Sequence, residues 1–289
     1  MTKFASGNYD YIRSYTDETT FVLTNNPVTY VIDLDGRDIT VNAAEGVTGV
    51  VFVGLDTNAT TSAASGATAT LGDGVVNGYR AQRGDTTYVG LQAEGSKTVT
   101  VHALKMRVSS VALRTTTGGI YYWATYECDD TLAAAVDTFG LVYNLGSAPS
   151  TTLEDNDILT ELAKEDFVRG EDIIGGIMNG ILVAGERTDS DGEPVDLTND
   201  QAADLAIYAA PYISVIGADG GAKMVMADAS EDTMYGVVKA VDDMISGMDD
   251  SDAKKAQYIN MMNDKFDWAG YAFTGAKWSE FTNFGPAAQ

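Results

Sequence analysis

Between Thr20 and Leu104 the chain repeats one pattern, a short run of apolar or alternating residues followed by a turn. "TFVLT", "VTYVIDL", "DITVN", "GVVFVGL", "TATLG", "TTYVGLQ" and "KTVTVHAL" are filled with Val, Thr, Tyr and Phe, and "NNP", "DG", "EG", "GDG" and "RGD" punctuate them. β-Branched and aromatic residues suit a pleated, half-buried surface, while Gly, Asn, Asp and Pro supply turn backbones. The pattern predicts an all-β domain over residues 1–104, a β-sandwich or jelly-roll-like unit of antiparallel strands. The stretch "DTNATTSAASGATA" is too polar for core and is expected as an exposed loop or edge. Its Asn58-Ala59-Thr60 triplet fits the N-glycosylation sequon, which chance supplies too often to carry an argument alone.

Strand-like runs continue past Met106 as "VSSVALRT", "GIYYWATYE", "FGLVYNL", "DIIGGIMNGILVAGE", "ADLAIYAAPYISVIG" and "KMVMA". Strand alternation puts Ile120, Tyr122, Ala124 and Tyr126 on one side and Tyr121, Trp123, Thr125 and Glu127 on the other. Both sets are largely apolar, so this strand is expected to be central and covered on both faces. "TLAAAVDTF" at 131–139 predicts a short helical turn, and "GADGG" at 217–221 a hairpin. The period then changes. From Glu231 to Met248, residues Met234, Val237, Val238, Val241, Met244, Ile245 and Met248 fall on one helical face, with Ser230 as cap and Glu231 and Asp232 in the first turn. A second helix is expected over 251–266, capped by Ser251, with Ile259, Met262 and Phe266 inward. Residues 105–289 thus form a β-rich α+β domain with a sandwich-like sheet and two C-terminal helices. Seven of the ten methionines lie between 224 and 262 and are expected as adaptable core filling.

Charge narrows the partners. The chain of 289 residues carries 18 Lys and Arg against 42 Asp and Glu, a formal net charge of −24. Residues 1–104 hold 6 basic and 11 acidic side chains, and residues 105–289 hold 12 and 31, so the second part bears most of the acid. Nucleic acid and anionic lipid are repelled by such a surface, because binding either needs cations to release counterions. One cysteine cannot make an internal disulfide. No run of about 18 apolar residues is present, so membrane insertion is not expected. "MTKFASGNYDYIRS" has no basic-then-apolar leader.

Candidate chemistry is sparse. Cys128 is followed by Asp129 and Asp130, which disfavour a thiolate, so it is expected to be structural. His102 is the one histidine, G-x-S-x-G is absent, and a hydrogen-bonded strand histidine is expected in place of a triad member. "GYAFTGAK" at 270–277 misplaces the lysine of a P-loop and lacks the hydroxyl after it. Glycosidase carboxylate pairs cannot be singled out among 42 acids. "RTDSDGEPVDLTND" offers Asp189, Asp191 and Asp196, with Glu193 and Asp200, as hard oxygen ligands for Ca²⁺. Its spacing departs from an EF-hand, and an acidic hairpin loop without metal is the plainer expectation. No catalytic residues and no other cofactor are expected.

"GIYYWATYECDDTLAAAVDTFGLVYNLGSAPS" at 119–150, "IYAAPYISV" at 207–215 and the "YGVVKAVDDM" helix resemble an uncharacterised β-rich module of large surface proteins of gut Firmicutes, over roughly residues 105–270. The resemblance implies an extracellular or envelope-associated unit and no catalytic residues to transfer. The function expected is a non-catalytic structural protein at the cell surface. It would form a homo-oligomer or polymer through strand edges and the terminal segments 1–18 and 267–289, building an appendage, filament or layer. Two alternatives stand beside it. One is a phage virion protein of tail, fibre or head decoration; the other is a carbohydrate-binding or glycan-active protein using Tyr121, Trp123, Trp268 and Trp278.

Overall fold

The computed structural model describes the chain except residues 1, 7–8, 14–18, 24–28, 34–37, 46–49, 54–64, 73–74, 78–80, 84–85, 94, 114–119, 151–152, 168–172, 179–186, 189–193, 196–202, 217–221, 266–279 and 284–289. The fold is mainly β. β1 (Thr2–Ser6) pairs antiparallel with β2 (Tyr9–Arg13). From there β3 (Thr20–Leu23), β4 (Thr29–Asp33), β5 (Ile39–Ala43), β6 (Val50–Val53), β7 (Thr68–Leu71) and β8 (Val75–Asn77) alternate between two sheets. β2, β4, β6 and β8 lie parallel in one, and β3, β5 and β7 lie parallel in the other.

Residues 9–77 therefore coil through two parallel sheets, which corrects the expectation of antiparallel strands there. A parallel pair needs a connection of a dozen residues or more, and here the intervening strand of the opposite sheet serves as that connection. Alternation of period two is the same in either pairing. Ile39, Val41, Ala69 and Leu71 are buried and fix the inner side of β5 and β7.

β9 (Ala81–Arg83), β10 (Thr86–Gln92) and β11 (Thr98–Leu113) return to antiparallel pairing. β11 runs unbroken through the 104/105 junction. Its first residues pair with β7, and residues from Leu104 onward pair with β12 (Ile120–Cys128). After α1 (Asp130–Ala135) come β13 (Val136–Leu145), β14 (Asp157–Ala163) and β15 (Ile173–Met178). β15 pairs with β12, and eight strands from β3 to β15 share one sheet. The two-residue strands β16 (Arg187–Thr188) and β17 (Pro194–Val195) pair with each other and, among the described residues, with no other strand. β18 (Ile207–Ile216), β19 (Ala222–Met226) and β20 (Ser230–Asp232) complete a sheet ordered β14-β13-β18-β19, with β20 also on β18. The β18–β19 pairing flanks "GADGG", whose own residues lie outside those described.

The core joins both sheets. Met106, Tyr122, Ala124 and Tyr126 meet Phe139, Leu141, Ile213 and Val215, and the helices add Met234, Val238, Ile245 and Met262. Tyr126, Phe139 and Phe167 meet edge-on, with centroids 4.9 to 5.8 Å apart, a geometry aromatic quadrupoles favour.

Two buried tyrosines make a direct comparison. The Tyr126 hydroxyl donates to the Gly140 carbonyl at 2.5 Å, whereas that of Tyr122 has no partner among the described residues. Burial, and then the charge of Asp232, push the Tyr122 phenol well above its ordinary pKa. Tyr122→Phe is expected to leave stability unchanged or raise it by about 1 kcal/mol, and Tyr126→Phe to lower it by about 1–2 kcal/mol, since only the second breaks a buried hydrogen bond. Urea denaturation of both variants checks this; a loss in Tyr122→Phe equal to that in Tyr126→Phe contradicts it.

α2 (Met234–Ser246) and α3 (Ala253–Lys265) follow. Thr233, not Ser230, caps α2: its hydroxyl accepts from the Gly236 N–H at 3.0 Å. Ser230, Glu231 and Asp232 are drawn into β20 by pairing with β18. Ser251 does not cap α3 either, because its hydroxyl donates to Asp249 and Asp252 accepts from the Lys254 N–H. No helix among the described residues is long and apolar enough to cross a membrane.

Candidate functional site

Three features of the described residues bring chemistry-bearing side chains together, and all depend on β11, β12 or α2. The first is at the end of β12. His102 on β11 is buried, and its Nδ1 lies 2.7 Å from Asp129 Oδ2. Asp129 Oδ1 accepts the Leu132 N–H at 2.9 Å, which caps α1. Burial pushes the Asp129 carboxyl up, but the Leu132 N–H and His102 outweigh it and hold it below the usual carboxylate range. At neutral pH Asp129 is therefore acceptor-only, and Nδ1 must carry the proton. Cys128, opposite Leu104 in the ladder, is half-buried against the core and not in a disulfide. Among the described residues no serine or threonine hydroxyl is hydrogen-bonded to His102. One carboxylate thus ties β11 to α1.

The second feature is the outer face of β11 and β12. Ile120, Tyr122, Ala124 and Tyr126 are buried, as the alternation requires, and Tyr121, Trp123 and Thr125 are half-buried on the opposite side. The Tyr121 and Trp123 ring centroids are 4.4 Å apart with planes tilted by 58°. In register with them stand Ala112 and Ser110 of β11, and further along Arg107 faces Thr125 and Lys105 faces Glu127. Those β11 residues are exposed, so this side of the strand is open to solvent and not covered as expected.

The third feature escaped the sequence. Asp242 in α2 is 2% exposed and accepts from the backbone and side chains of Thr282 and Asn283. Beside it Phe281 is buried and stacks on Tyr235, and the Tyr235 hydroxyl donates to Glu280 at 2.6 Å. "VVKAVDDMIS" reads as a helix with a solvated acidic pair. Yet Asp242 lies four residues after Val238 and three before Ile245, on the buried face, and that spacing is the signal.

The remaining methionine stripe divides. Met234 and Met262 are buried, but Met244, expected inward, is 47% exposed. Met244 lines a cavity of about 420 Å³ between the end of β11 and the two helices, together with Val111, Leu113, Val237 and Val241. Asp232 is the one charged residue among its described lining. The inward face of α2 is Met234, Val238, Asp242 and Ile245, one step around the helix from the face on which Met244 sits.

The Ca²⁺ candidates Asp189, Asp191 and Asp196, with Glu193 and Asp200, lie outside the described residues, as do Trp268 and Trp278. Among the described residues no three His, Cys, Asp or Glu side chains group to hold a metal.

No protein-family model matches the chain, and no curated protein matches it. What the molecule can do rests on its own geometry.

Proposed function

We propose that the chain is a non-catalytic structural protein, an extracellular or cell-surface subunit that assembles with copies of itself into an appendage, filament or layer. In this proposal residues 1–104 and 105–289 are its two domains, joined through β11, which is continuous across the boundary, and the second is a sandwich of the β11-β12-β15 and β14-β13-β18-β19 sheets. The observation that carries it is the edge at β3. Among the described residues that strand ends the eight-stranded sheet and pairs only with β5, and Val22 is 48% exposed. A row of unpaired backbone groups beside an exposed apolar side chain is a template for strand pairing with another chain, and nothing charged stands in "TFVL" to oppose it. Heavy acidity keeps the remaining surface hydrated.

Contacts between copies would use strand edges and not Glu280–Asn283, which are spent on α2 of the same chain. Negative-stain electron microscopy and sedimentation velocity test the proposal. The native chain should form polymers or regular oligomers, and Val22→Lys should reduce them at least tenfold while leaving the melting temperature within a few degrees, the size of effect expected for a surface change. A native chain that sediments as a monomer at every concentration overturns it.

A further inference from the structure

We infer that the outer face of β11 and β12 is a binding platform for an uncharged polysaccharide, with Trp123 and Tyr121 as its stacking surface. The inference stands apart from self-assembly through β3.

The case begins with relative height. The ladder sets Ser110 and Ala112 on one flank of Trp123 and Tyr121, and on the other flank Gly175 of β15 beside Trp123 and Ile177 beside Tyr121. Trp123 therefore stands between neighbours that are short or have no side chain, whereas Tyr121 has a short neighbour only on the β11 side, and both rings are half-buried. Their centroids are 4.4 Å apart with the planes tilted by 58°, so together they make an angled apolar strip and not one flat surface. The pyranose ring presents a flat face of C–H bonds of matching width, and aromatic rings with a polar edge suit ligands that are apolar on one side and wet on the other.

Polar groups continue the strip. At about 3.3 Å per residue, Thr125 and Arg107 lie roughly 7 Å beyond Trp123, and Glu127 and Lys105 about as far again. The Lys105 ammonium is 3.8 Å from the Glu127 carboxylate, and both are exposed. Hydroxyl, guanidinium, ammonium and carboxylate thus provide donors and acceptors in a row, which a chain of sugar hydroxyls can satisfy. Arg107 is exposed and has no ion pair among the described residues.

Charge selects the class of glycan. A polyanion would meet a molecule of net charge −24, and a polycation would meet Arg107 and Lys105 at the platform itself. An uncharged chain meets neither barrier.

Native affinity electrophoresis of the full chain tests this, in gels containing hydroxyethylcellulose, galactomannan or xylan, with polygalacturonate as the acidic comparison. At least one neutral polysaccharide should retard the protein, equally at low and high salt, because no long-range charge attraction is involved. Trp123→Ala should weaken retardation about tenfold, the equivalent of 1.4 kcal/mol, and Trp123→Phe should keep most of it. Arg107→Ala, at an exposed position that leaves the fold intact, should weaken it a few-fold. Far-UV circular dichroism checks each variant, and if Trp123→Ala unfolds, Arg107→Ala and Tyr121→Ala decide. Absence of retardation by all three neutral polysaccharides overturns the inference, as does retardation that survives both Trp123→Ala and Arg107→Ala. Binding to polygalacturonate alone, abolished by salt, overturns the choice of an uncharged ligand. Loss of self-association in Trp123→Ala with no change toward glycan would make this face a contact between copies.

Discussion

Gly140→Ala is expected to destabilise the protein by about 4 kcal/mol or more, enough to unfold a domain of ordinary stability. Gly140 lies in the middle of β13, between Glu161 of β14 and Tyr212 of β18. A Cβ there would overlap the Thr160 carbonyl oxygen, with the carbonyl carbon 2.8 Å away and Glu161 Cα 3.1 Å away. All three are backbone atoms, so no side chain can rotate aside, and β14 would have to leave the sheet. The register shift between Leu141 and Val142 leaves Leu159 of β14 as the extra residue of a bulge next to this contact. The Gly140 carbonyl is also the acceptor for Tyr126, so displacing β13 breaks that buried bond too. Gly95 provides the contrast. It has φ +67° and open space where a Cβ would stand, so Gly95→Ala carries only the left-handed backbone cost, about 1 kcal/mol. Chemical denaturation of the two variants separates steric exclusion from conformational preference. If Gly140→Ala falls within 1 kcal/mol of the parent, close packing at β13 is not what the glycine serves.

Local structure was legible in the sequence to the extent that one face of an element meets the core and the other meets water. β12 obeys its alternation residue by residue, and "TLAAAVDTF" does hold a helical turn before β13. Pairing partners were not legible between residues 9 and 77. Strands of period two look alike whether the neighbour runs parallel or antiparallel, and only the recurrence of starts at Tyr9, Thr29 and Val50, with a strand of the other sheet between each, distinguishes a coil from a meander. The cap of α2 was misplaced for a related reason. Ser230 and Thr233 both precede the apolar face, and the competition is settled by the open edge of β18, which takes Ser230–Asp232 as a strand. At the candidate platform the sequence placed Tyr121 and Trp123 on one face but not the stature of their neighbours. That depends on the register with Ser110 of β11 and with Gly175 and Ile177 of β15, which alternation within β12 does not reveal. Asp242 was hidden because an aspartate in a helix is read as solvated unless a donor set is known. Its donors come from forty residues later.

Removing residues 280–289 should therefore unfold the helical layer and not merely trim a tail. Phe281 is 2% exposed and belongs to the same core as Met234 and Val238, and Phe281→Ala is expected to cost about 3 kcal/mol through lost burial and the cavity left behind. Asp242 adds a second anchor of comparable size. It receives the Asn283 N–H at 3.0 Å, the Asn283 side-chain amide at 2.9 Å and both donors of Thr282. Asp242→Ala strands those groups beside a buried gap, for a further loss of about 3 kcal/mol. Burial pushes the Asp242 carboxyl up, but the Asn283 and Thr282 donors outweigh it and hold it below its ordinary value of 3.8. Its folded-state pKa thus lies below the unfolded one, so its contribution is fully present above about pH 4 and is lost as pH falls through the lower, folded value. Asp242→Asn should flatten this part of the acid limb in melts taken from pH 7 to pH 2, while Asp129, depressed by Leu132 and His102, continues to titrate. The same melts separate two roles for the C-terminal segment. If the chain lacking 280–289 keeps its melting temperature and loses only polymers, the segment is a contact between copies. If the melting temperature falls steeply and the acid limb shifts with it, Phe281 and Asp242 hold the fold itself, and any effect on assembly is secondary.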